Sequence, residues 1–169
     1  MSSTKKIVLC SIFAALQIVL EYLTQFTPTM PQGGNISFSL VIIFLCGYLL
    51  NYKYATIVAL VSVSLHFVLS LAAYYGVISL LFDYYIPFII VGLSTIIPLT
   101  KIGNITLPLG MILAFGLKIA CHLISGAVAF ETPMGANLAY NLPYNLATFV
   151  TCFVLFIVLY PRLKKSFRA

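Results

Sequence analysis

From Ile7 to Phe26 the chain carries one charged side chain, Glu21, and five further runs almost as apolar follow at short intervals. A run of ~20 apolar residues is what an α-helix needs to cross the hydrocarbon core of a bilayer. No water is available there to satisfy backbone N–H and C=O groups, so continuous runs of this kind must close their hydrogen bonds internally, as helices do. Six candidate spans result, at 7–26, 36–50, 54–75, 80–99, 107–130 and 141–160. The expected fold is an all-α integral membrane protein, one domain over residues 1–169 built as a compact bundle of six transmembrane helices. A composition of 62% hydrophobic and 7% charged residues lies far outside the range of soluble domains and leaves no room for a soluble catalytic one.

Three local readings accompany this. The second span is short, and is expected to borrow length from Asn51 and Tyr52 while Lys53 snorkels to the interface. Residues 76–82 could open the fourth helix or form a loop at the membrane surface, and are read as the loop. The first span follows Lys5 and Lys6 as the core of a signal peptide would, yet it lacks an A-x-A cleavage site and is read as a retained helix.

The net charge of +6 is explained by topology. Lys5 and Lys6 precede the first span, Lys53 separates the second from the third, Lys101 the fourth from the fifth, and Arg162, Lys164, Lys165 and Arg168 follow the sixth. The other three breaks hold no Lys or Arg. By the positive-inside rule both termini are expected in the cytoplasm, with the breaks after spans one, three and five outside. No basic stripe with interleaved aromatics offers a nucleic-acid surface.

The expected outer half collects the unusual polar residues. The loop from Thr27 to Ser37, "TPTMPQGGNIS", is shaped by prolines and adjacent glycines. Asp83 and Tyr84 stand at the start of span four. In span five Lys118, His122, Gly126 and Phe130 recur every fourth residue and share one helix face. "AYNLPYN", 139–145, opens span six, with Asn141 as a candidate N-cap and Pro143 in the first turn. An intramembrane carboxylate costs ~2.5–3.5 kcal/mol on insertion scales, so it faces a cavity, a partner charge or a ligand. Convergence of these groups suits a small-molecule site.

Each residue also has a plainer reading. Asp83 could bridge structurally to Lys118, Gly126 beside Ser125 could allow close helix packing, and Tyr140 and Asn145 could anchor and cap. His66 reads as structural, Glu131 as a solvated loop charge, and Glu21 as either a cavity residue or an interfacial one. Cys10, Cys46, Cys121 and Cys152 show neither metal-ligand spacing nor a disulfide framework.

In "MPQGGNIS", "FDYYIPFIIVGLS", "LKIACHLISGAVAF" and "AYNLPYN", in that order, the chain resembles the thiamine-specific S components (ThiT) of energy-coupling factor vitamin transporters. The resemblance implies a thiamine-binding subunit that captures substrate at the outer face of the cell membrane, with no cofactor and no enzymatic activity of its own. It implies that Asp83 and Tyr84 face the ligand, the carboxylate near the cationic thiazolium or hydrogen-bonded to the aminopyrimidine. His122 and Asn145 would hydrogen-bond polar groups, Tyr140 and Phe130 would pack against the rings, and Gly126 would leave room for them. It implies as partners a membrane coupling subunit and a pair of ATPases, docking through helix one around Ser11 and Ala15, where the family pattern is Ala-xxx-Ala. Family members can carry Trp in the first outer loop and at the position of Phe130; this chain has no Trp, and Gly34 occupies the loop position.

No G-x-x-x-x-G-K-[ST] loop is present to hold ATP phosphates, which agrees with a separate energising module. A related S component for another vitamin or a thiamine precursor, an intramembrane enzyme using Asp83 and His122, and a structural membrane protein are the alternative readings. Ligand binding without turnover separates the first two classes, and absence of any ligand would favour the third.

Overall fold

In the computed structural model, which describes residues 2–27, 29–30, 34–103 and 105–168, six helices run up and down through one cluster of buried side chains. They are α1 (Ser3–Thr24), α2 (Leu40–Leu49), α3 (Tyr52–Val68), α4 (Val77–Ser94), α5 (Leu109–Val128) and α6 (Met134–Arg168). Four of them, α1, α4, α5 and α6, are long and apolar enough to cross a membrane.

The outward faces say what surrounds the bundle. On α6, Leu142, Leu146, Val150, Val154 and Val158 recur every fourth residue and are all exposed, and Ile7, Val8, Ile12, Leu16 and Val19 are exposed at helical spacing along α1. Stripes of this size belong against lipid rather than water.

The short α2 solves its length problem by burial. Every side chain from Leu40 to Cys46 is buried, so this helix, ~15 Å long at 1.5 Å per residue, is the axis around which α1, α3, α4 and α6 pack. It does not extend through Asn51 as expected: Asn51 caps α3, its side chain accepting the Lys53 N–H at 2.9 Å. At the α3–α4 crossing, a Cβ on Gly92 would lie 2.7 Å from the Thr56 Cα, so glycine is what allows the two backbones to approach.

The expected loop at 76–82 is helix from Val77 onward. Over Leu80–Tyr85 the turn widens to the π form, and the Ile86 N–H reaches back to the Leu81 carbonyl. Pro87 accounts for this, because its ring has no N–H and crowds the carbonyl four residues earlier, which belongs to Asp83. Asp83 and Tyr84 both lie within this widened segment and are half-buried.

One further expectation is corrected. Asn141 is not an N-cap: α6 begins at Met134, so Asn141 and Pro143 lie inside the helix, which runs on through Pro161 to Arg168. The break holding Lys101 is a small antiparallel hairpin, β1 (Thr100–Ile102) paired with β2 (Ile105–Leu107), turning at Gly103 with φ of 58°.

Candidate functional site

At the end of the bundle away from both chain termini, the ends of α1, α3 and α5 and the starts of α4 and α6 enclose a cavity of about 920 Å3. Residues Thr29, Met30, Gly34 and Asn35 of the first connection contribute to its wall, the Met30 N–H bonding the Gly34 carbonyl at 2.6 Å. Pro28, Pro31, Gln32 and Gly33 of that same connection lie outside the described residues.

Asp83 is the hub of one side. Its Oδ1 accepts from His122 Nδ1 at 2.9 Å, and its Oδ2 accepts from Ser79 Oγ at 2.7 Å and Ser125 Oγ at 2.6 Å. A carboxylate only accepts, so Nδ1 of His122 carries the proton and Nε2 of the neutral ring presents a lone pair. That Nε2 is buried and has no hydrogen-bond partner among the described residues, on a cavity-lining side chain that is 8% exposed. Such a group asks for a donor that no described residue supplies.

Lys118 does not pair with Asp83. Its buried ammonium donates to Asn145 Oδ1 and sits 5.9 Å from the centre of the Tyr144 ring. Asn145 in turn donates from Nδ2 to the Asn141 carbonyl at 2.8 Å. Asn145 is fully buried and does not reach the cavity wall, whereas Asp83, Tyr84, His122, Gly126, Phe130 and Tyr140 all do. A Cβ on Gly126 would run into the Asn137 side chain, so this glycine first makes room for α6.

Aromatic rings furnish the remaining wall. Tyr140 and Tyr144 meet edge to face with centroids 5.7 Å apart, and Phe130 meets Tyr75 in the same manner at 5.5 Å. Gly34 lies against the tyrosine pair: its N–H donates to Tyr140 Oη at 3.0 Å, and a Cβ there would fall 3.0 Å from the Tyr144 ring. A tryptophan at 34 has no space in this packing, and the two tyrosines occupy the volume.

Sequence reasoning missed Tyr144, Asn141 and Asn137. Their signal was present, since Asn137, Asn141 and Asn145 repeat every fourth residue opposite the exposed Leu138, Leu142 and Leu146. Starting the span at 141 cut that ladder in half. It also read His66 as structural; His66 is buried, bonds Gln17 Oε1 through Nε2 at 3.1 Å, and lines the cavity. Glu131 is exposed, as its solvated-charge reading expected.

A fold built this way has solved relatives. The structure of ThiT from Listeria monocytogenes superposes with a TM-score of 0.65 over 97% of each chain at 14% sequence identity, which establishes the shared fold. No curated protein matches the sequence. The family model described as Thiamine transporter protein (Thia_YuaJ) matches residues 7–168, nearly the whole length, and the chain therefore belongs to this family of membrane transport proteins.

Proposed function

We propose that this protein is a thiamine-binding S component of an energy-coupling factor transporter, capturing the vitamin in the cavity of about 920 Å3 at the outer side of the cell membrane. The observation that carries the reading is the buried Nε2 of His122, without a hydrogen-bond partner among the described residues, on a ring held by Asp83 in a chamber of tyrosines. Thiamine brings what such a chamber lacks. Its exocyclic amine supplies donors for Nε2, and its flat cation suits aromatic faces at ~0.5–2 kcal/mol each. In this role Asp83 and His122 bind one end of the ligand, Tyr84, Phe130, Tyr140 and Tyr144 pack against the rings, and Asn145 acts from behind by fixing Lys118.

Uptake in this reading depends on a membrane coupling subunit and a pair of ATPases, met through the lipid-facing side of α1, where Ser11 and Ala15 are both exposed one turn apart. The direct test is calorimetric titration of thiamine into the purified protein in detergent. Saturable one-to-one binding without turnover is expected, and a protein that ignores thiamine sinks the assignment.

Orientation has its own test. Cysteine placed at Gly135, beside the cavity mouth, should react with an impermeant maleimide added to intact cells, and cysteine at Lys101 should not. The four native cysteines are buried or half-buried and give a low background. Labelling of the Lys101 hairpin from outside would invert the topology.

A further inference from the structure

A second carboxylate faces the same cavity from the other side of the helix order. Glu21, near the end of α1, is 9% exposed and lines the cavity. Its Oε2 accepts from Ser37 Oγ at 2.8 Å and from Ser39 Oγ at 2.5 Å. Gln17 Nε2 bonds the same Ser39 hydroxyl at 2.9 Å, and His66 fixes the Gln17 amide from α3. Residues of α1, α3 and the entry to α2 thus lock the carboxylate in place. Its other oxygen, Oε1, has no hydrogen-bond partner among the described residues.

Comparison with Asp83 shows what this leaves open. A carboxylate offers about four acceptor sites. Asp83 has three of its own filled by His122, Ser79 and Ser125, whereas Glu21 has filled only the two on Oε2. Charge gives the same answer independently. Among the described residues lining the cavity the charged side chains are Glu21, Asp83 and Lys118, so with the imidazoles counted neutral one negative charge is left over. Without Glu21 the lining would be neutral. An uncompensated charge away from bulk water is costly, and a ligand of opposite sign relieves it.

We propose that Glu21 is a ligand-binding residue whose Oε1 faces the substrate and whose charge makes this cavity a site for a monocation. The inference rests on the thiamine reading and adds to it a second carboxylate pole. A purely structural Glu21 would tie α1 to the entry of α2 through its serines and leave ligand charge without consequence.

The experiment is calorimetric titration of the full-length protein with two ligands, thiamine and its neutral isostere in which a thiophene replaces the thiazolium. For Glu21→Gln, the expected result is a loss of about tenfold or more for thiamine with a change of under about threefold for the neutral isostere. Equal losses for both ligands, or no loss for thiamine, overturn the inference while leaving thiamine binding by the wild type intact. Failure of the wild type to bind thiamine overturns the functional reading and this assignment with it. Should Glu21→Gln not fold, Glu21→Asp replaces it, keeping the charge but drawing it back by one methylene. A larger loss for thiamine than for the isostere supports the inference there too, and parallel losses overturn it.

Discussion

Asp83→Asn should weaken thiamine by about 1.5–3 kcal/mol, the worth of a charge-assisted hydrogen bond, which is about tenfold or more in Kd. The reason lies in what the carboxylate holds. With Asp83 in place, His122 is forced to protonate Nδ1 and to offer Nε2 to the cavity. The asparagine can keep its carbonyl toward Nδ1, and with it the tautomer, and turn its amide toward Ser79 and Ser125, whose hydroxyls accept as readily as they donate; what the ligand loses is the negative charge on the cavity wall, which strengthens Nε2 as an acceptor and attracts a cation. The apo fold is therefore expected to melt close to wild type. Had Asp83 balanced Lys118, the same substitution would have stranded a buried cation and cost ~3–5 kcal/mol of stability. The structure gives Lys118 to Asn145 instead. Calorimetry beside apo melting temperatures separates the outcomes: a variant that melts early and still binds thiamine as well as wild type would return Asp83 to a structural role.

Replacing Ser11 and Ala15 together by leucine should abolish ATP-driven uptake while leaving thiamine affinity within about twofold of wild type, a change of less than ~0.5 kcal/mol. Both residues face outward on α1, among exposed Ile7, Val8, Ile12 and Leu16. Small side chains one turn apart let another helix's backbone come close, and without water that approach is the main source of attraction between helices. Leucines fill the depression and leave the cavity, which begins near Glu21 at the other end of α1, untouched. Co-purification of the coupling subunit with the double variant at the wild-type level would defeat the docking face.

Much of the architecture was legible in advance because lipid imposes a simple rule on a chain: each crossing must be apolar along its whole length. That rule located six helices and the end of the bundle at which the polar groups gather, and the ordered motifs pointed to the family. It erred where a helix is not one crossing of uniform polarity. Alpha6 carries an asparagine ladder on one face, which lowers its average apolarity and made Asn141 resemble a boundary. Alpha4 absorbs Pro87 by widening to a π turn, which a search for breaks reads as a loop.

Sequence alone determined which polar residues enter the membrane, since two carboxylates, an ammonium and two imidazoles there stand out against hydrocarbon. Tertiary structure alone decided who partners whom. Lys118 and Asp83 both lie on the cavity lining, yet one finds Asn145 and the other finds His122, Ser79 and Ser125. Glu21, a residue with no motif, keeps one oxygen without a partner among the described residues because Ser37 and Ser39 from the next segment occupy only the other one. The physical reason is that a hydrogen bond is satisfied over ~3 Å between side chains that, apart from the local Ser79–Asp83 pair, are separated here by 16 to 42 positions in the chain, and such distances exist only after the helices have packed.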